Sequence, residues 1–125
     1  MPNLFEHCRA RRKKWRSRNC DDHTKNFSFI MDKQGVWRLS PAFDVCYAYN
    51  PNSYWVNSHS MSINGKRSNI TRNDLLTVAK NMNIKKANNI IDQIADVVSN
   101  WNNYAKRTSV NTALKKEISK NLLLL

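Results

Sequence analysis

The chain has 125 residues, 41% of them hydrophobic, and carries 21 Lys and Arg against 9 Asp and Glu for a net charge of +12. A chain of this length forms one domain at most, able to bury about two-thirds of its unfolded surface, and no apolar run approaches the roughly 18 residues that a bilayer-spanning helix needs. The charge would ordinarily point to nucleic acid, whose phosphates draw Lys and Arg, but it is unevenly placed. Arg9, Arg11, Arg12, Lys13, Lys14, Arg16 and Arg18 against Glu6 put half of the excess into the first eighteen residues, and the remainder is only moderately basic.

Leu4 to Arg18 has good helix formers without a sustained apolar face, because only Cys8, Ala10 and Trp15 interrupt the charge. Burying such a run would carry a large desolvation cost. Residues 1–18 are therefore expected to form a loosely attached, divergent basic arm, either genuine or the scar of a truncated or frame-shifted gene, beside a compact lobe at 19–125. Met1-Pro2-Asn3-Leu4 is followed by no apolar stretch, so no secretory leader is expected. Cys8, Cys20 and Cys46 are odd in number and widely spaced, which suits reduced thiols. Cys20-x-x-His23 has half of a zinc-site spacing; with no second Cys/His pair, no zinc is expected.

The next stretch, Asn19-Cys20-Asp21-Asp22-His23-Thr24-Lys25-Asn26, concentrates carboxylates, a lysine and a carboxamide ahead of a strand-like run. An Asp five positions before an Asn, with a further Asp downstream, is the catalytic-loop spacing of protein kinases. Asp21, Asn26 and Asp44 have it. The bland alternative is a solvated turn in which Asp21 or Asp22 caps a neighbour. Phe27, Phe29 and Met31 then alternate, Asp32-Lys33-Gln34-Gly35 supplies a turn, Val36 to Leu39 resumes, and Ser40-Pro41 breaks the strand. This hairpin would bring Asn26 and Asp44 together.

Val45 to Tyr54 is rich in turn residues, and a second short hairpin is expected at Ser58 to Arg67 around Asn64-Gly65, read as a turn rather than a ligand loop. Thr71 to Asp74 resembles a capping box, with Asp in place of Glu, before Leu75, Leu76, Ala79 and Met82. Ala87, Ile90, Ile91, Ile94, Val97, Val98, Trp101 and Tyr104 recur at three and four, which predicts one long amphipathic helix. A third helix is expected from about Val110, with Leu114, Ile118 and Leu122 on one face. The fold class is α+β, mostly α, with the three helices as the core on which the hairpin rests.

The loop motif, followed by Trp37-Arg38-Leu39-Ser40-Pro41-Ala42-Phe43-Asp44 and Met61-Ser62-Ile63-Asn64-Gly65-Lys66-Arg67, resembles the C-terminal lobe of the HipA-type toxin kinases, serine/threonine protein kinases of bacterial toxin–antitoxin operons. The resemblance runs from about Asn19 onward. It implies a kinase-like lobe in which Asp21 is the catalytic base, Lys25 meets the transferring phosphoryl group, Asn26 and Asp44 bind magnesium, and Asp22 and His23 support the loop. It also implies ATP and Mg2+, a protein substrate with Ser or Thr, a HipB-like antitoxin or a complementing N-terminal lobe as partner, and a cytoplasmic location without membrane contact. In that family a Gly-rich loop and an ATP-binding lysine belong to the N-terminal lobe; the present sequence has only Gly35 and Gly65, and is expected to be inactive alone. The competing class is a small basic nucleic-acid-binding protein, supported by Arg9 to Arg18 with Trp15 among the cations.

Overall fold

The computed structural model describes residues 15–123. Among them are a two-stranded antiparallel sheet and four helices. Strand β1 (Phe29–Met31) pairs with β2 (Trp37–Leu39) in the register Phe29 to Leu39, Ile30 to Arg38 and Met31 to Trp37. The turn between them is closed by Asp32, whose Oδ1 accepts from Gln34 N at 3.0 Å and Val36 N at 2.9 Å. Gly35 sits there at φ 81°, a conformation that costs a residue with a Cβ.

Helix α1 (Arg72–Asn81) begins at the expected capping box: Thr71 accepts from Asp74 N while the Asp74 carboxylate accepts from Thr71 N at 2.8 Å. The next periodic stretch is divided, and this corrects the single long helix read from it. Helix α2 (Ala87–Ser99) ends at Asn100 and α3 (Trp101–Arg107) starts beyond it. Ser99 Oγ and Asn100 Nδ2 both donate to the Asp96 carbonyl, at 2.8 and 2.9 Å. Such side-chain competition for a helix carbonyl bends or interrupts the ladder, and hydrophobic spacing does not report it. Helix α4 (Thr112–Asn121) is capped by Asn111 and buries Ile118, while Leu114 on the same expected face stays exposed.

Trp15, Ile70, Leu75 and Ile91 form the central cluster, with Ile63, Leu76 and Leu123 against it. The last residues of the basic stretch are thus part of the lobe: Trp15 and Arg16 are each 1% exposed. Burial holds the Arg16 guanidinium below its ordinary pKa, assisted by Arg72 and opposed by Asp92. Arg18 Nε donates to the Asn121 carbonyl at 2.9 Å, and its guanidinium lies 4.2 Å above the Tyr49 ring. The arm read over residues 1–18 otherwise lies outside the described residues.

The hairpin does not rest on the helices as expected. Along both strands only Leu39 is even half-buried. Phe29, Met31, Trp37 and Leu39 share one face by register, and Met31 is 57% exposed. An isolated two-stranded ribbon is marginal in water, and the root of this one is tied firmly.

Candidate active site

At that root the ribbon continues beyond its strands. Ser40 N donates to the Ser28 carbonyl at 2.9 Å and the two hydroxyls meet at 2.8 Å. One step further, Asn26 Nδ2 donates to Asp44 Oδ2 at 2.5 Å and to the Asp21 carbonyl at 2.9 Å. Asn26 and Asp44 lie 18 residues apart in sequence, and pairing of the ribbon is what joins them. The turn Thr24–Asn26 is a single 3-10 turn, with Phe27 N returning to the Thr24 carbonyl at 3.3 Å. It points the Asn26 carboxamide back over the chain. Asp44 adopts φ 50°, a left-handed conformation that Asp tolerates better than most residues at a cost of order 1 kcal/mol. Asn19 holds it there. Fully buried, Asn19 donates through Nδ2 to the Asp44 carbonyl at 2.8 Å.

The Asp21 carboxyl is half-exposed, with His23 Nε2 3.6 Å from its Oδ1. It therefore lies on the solvent side, where a hydroxyl can approach. Lys25 is exposed on the 3-10 turn. Asp22 points the other way and is 5% exposed. Its Oδ2 meets His59 Nδ1 at 3.1 Å, and its Oδ1 accepts from Ser60 N at 2.7 Å and Met61 N at 3.3 Å. Two adjacent aspartates thus have opposite situations, one facing solvent and one pinning the loop to residues 59–61. His59 had no sequence signal: a lone histidine flanked by serines is silent until the fold sets it against Asp22.

The backbone beneath the site is equally tied. Cys20 N donates to the Ala48 carbonyl and Ala48 N to the Arg18 carbonyl, each at 3.0 Å, and Ser60 N also reaches the Cys20 carbonyl at 3.2 Å. From the far side Asn121 Nδ2 donates to Tyr47 Oη at 2.9 Å, so α4 steadies the segment after Asp44. Burial pushes the Tyr47 hydroxyl up in pKa, with the Asn121 bond opposing. Cys20 is buried, and that raises its thiol to about 11, so it is a packing residue rather than a nucleophile at neutral pH.

The Asn64-Gly65 turn is a turn and also an anchor. Ile63 and Lys66 exchange both backbone bonds, at 2.8 and 3.0 Å, around Asn64 at φ 52° and Gly65 at φ 75°, the geometry that Asn-Gly favours in two-residue hairpins. Asn64 Nδ2 and Lys66 Nζ then donate to the Asp74 carboxylate at 2.8 and 3.0 Å. With the Asn64 bond as the largest cause, followed by Thr71 and Lys66, the Asp74 carboxyl titrates far below the usual range.

Among the described residues no three His, Cys, Asp or Glu side chains gather as a metal cage. A magnesium ion needs less, since it takes one or two carboxylates and draws its remaining oxygens from phosphate and water. Asp44 carries a carboxylate and Asn26 a carboxamide oxygen, the two side chains meeting through Asn26 Nδ2 at a place solvent reaches, and a carboxylate beside a carboxamide oxygen is donor chemistry that fits that ion.

The structure thus sets a solvent-facing Asp on a loop braced by a hairpin that returns a second Asp to the loop's Asn. The family model of the HipA-like C-terminal domain matches residues 4–101, most of the chain, and the chain belongs to that family. The match begins at residue 4, so the family's domain takes in nearly all of the basic stretch that the sequence pattern set apart. No curated protein and no solved structure matches the chain.

Proposed function

We propose that the chain is the catalytic C-terminal lobe of a HipA-like serine/threonine protein kinase. The observation that carries the reading is the meeting of Asn26 with Asp44 beside Asp21. In this reading Asp21 accepts the proton of a substrate Ser or Thr hydroxyl as the oxygen attacks. Lys25, exposed on the adjacent turn, balances charge on the transferring group. Asn26 and Asp44 hold the magnesium that accompanies ATP, and that ion would supply neutralisation of the phosphate oxygens. Asp22 and His59 keep the loop from shifting. The toxin role rests on family membership. The exposed apolar side chains of Met31 and Trp37 on the hairpin suit a covering lobe that would complete the nucleotide clamp.

The nucleic-acid reading loses its aromatic support, because Trp15 is buried in the core and offers no face to a base.

The test is nuclear magnetic resonance of the labelled chain titrated with magnesium and a non-hydrolysable ATP analogue. Asn26 and Asp44 resonances are expected to move together, and Asp44→Ala to abolish the response at Asn26. Shifts confined to other residues would refute the assignment.

A further inference from the structure

Beside the candidate loop lies an open groove of about 360 Å³ lined by Tyr54, Trp55, Asn57, Ser58, Ser60 and Arg67. Tyr54 is 84% and Trp55 77% exposed, and their rings meet edge to face at 5.3 Å and 84°. Large aromatics left in water at this level are characteristic of recognition surfaces, where they offer contact area at low entropic cost. The loop carrying them is built of closed turns. Asn50 N donates to the Val56 carbonyl at 3.2 Å, Asn57 N to the Ser53 carbonyl at 3.1 Å and Trp55 N to Ser53 Oγ at 3.3 Å. The aromatic pair is therefore held in place before anything binds.

Arg67 supplies the charge. Its Nε donates to the His59 carbonyl at 2.5 Å, which anchors the guanidinium and leaves its two Nη groups as a planar fork of the kind that takes a carboxylate. None of the six lining residues is acidic, and the chain as a whole is at +12. Asn57, Ser58 and Ser60 add neutral polar groups suited to a peptide backbone. Ser60 joins the groove to the loop, since its N donates to Asp22 Oδ1 at 2.7 Å and its Oγ to the Cys20 carbonyl at 3.2 Å.

We propose that this groove docks an acidic segment of a protein partner, a carboxylate on Arg67 and an apolar side chain against Trp55 and Tyr54. A single-stranded nucleic acid fits less well. It needs a row of cations along its backbone, and one arginine lines this groove. As the place where a phosphorylated protein is held beside Asp21, the groove rests on the kinase reading; as a peptide site it does not.

The probe is a fluorescein-labelled peptide rich in Glu and Pro with one central Phe, titrated with the full chain by fluorescence anisotropy and without nucleotide. The expected result is saturable binding that Trp55→Ala and Arg67→Ala each weaken about tenfold or more. A matched peptide with Gln for Glu should bind distinctly worse. Trp55→Ala decides the matter if Arg67→Ala fails to fold, because it removes an exposed ring and leaves the net charge unchanged. Lys116→Ala, an exposed cation on α4, controls for bulk attraction and should change binding by less than about twofold. Unaltered binding by Trp55→Ala, equal loss in Lys116→Ala, or equal affinity for the Gln peptide overturns the proposal. Tighter binding of a single-stranded oligonucleotide, lost in the same two variants, overturns it in favour of nucleic acid. Peptide binding intact with no coupled response of Asn26 and Asp44 to magnesium and the ATP analogue would count against the kinase reading alone.

Discussion

Replacing Asp22 tests whether the loop is held from behind as the structure indicates. The carboxylate is 5% exposed and accepts from three donors, His59 Nδ1, Ser60 N and Met61 N. Asp22→Ala leaves all three in a buried space. Each orphaned donor costs about 1–3 kcal/mol, the 3.3 Å Met61 contact contributing least, and entry of water recovers part. The expected loss is about 3–5 kcal/mol, in the range for breaking a buried pair. Domains of this size are stable by about 5–15 kcal/mol, so the variant should unfold at much lower denaturant. Urea titration followed by circular dichroism measures it. Asp22→Asn keeps one acceptor for Ser60 and should lose about 1–2 kcal/mol. In Asp22→Ala/His59→Ala the imidazole is gone as well, so the double loss should fall short of the sum of the singles by about 1 kcal/mol or more. An Asp22→Ala cost below about 1 kcal/mol at an unchanged slope, or strict additivity with His59→Ala, would refute the argument.

The Asp74 carboxyl is held far below the usual range by Asn64, Thr71 and Lys66; a depressed folded pKa stabilises above the unfolded value and is lost as pH falls. Native protein should therefore lose stability in thermal melts below about pH 4, and Asp74→Asn should be less stable at neutral pH with a flatter acid limb. Because the hairpin stands in solvent, Met31→Lys should change unfolding free energy by no more than about 0.5 kcal/mol; a loss above about 2 kcal/mol would place the strand against a core. The 125 residues alone should not incorporate label from radioactive ATP and magnesium into proteins of a cell extract, since aligned positioning is worth about 7–11 kcal/mol of a barrier and the sequence has only two glycines, Gly35 and Gly65, both in hairpin turns. Incorporation that Asp21→Ala abolishes would show that the missing phosphate clamp was overvalued.

Local chemistry was legible where neighbours in sequence act on one another. The Thr71 to Asp74 capping box, the turns at Asp32 to Gly35 and at Asn64-Gly65, and the end of β2 before Ser40-Pro41 are all settled within about five residues of chain, and all stand in the structure. The spacing from Asp21 to Asn26 to Asp44 singled out the residues of the candidate site, because a hairpin of ordinary length between Asn26 and Asp44 joins its two ends. Tertiary structure decided the rest. Periodicity measures hydrophobicity, and it registered neither the competition for the Asp96 carbonyl that splits α2 from α3 nor the exposure of the strand residues along the β-ribbon. Charge density misplaced Trp15 and Arg16, since a basic run reads as solvated until one side of its last turn meets Ile70, Leu75 and Ile91. The spacing to Asn26 favoured Asp21 over its neighbour, but which of the two aspartates faces solvent is not decided within the loop. That choice was made 37 residues later, by a histidine whose only qualification is the place to which the chain returns it.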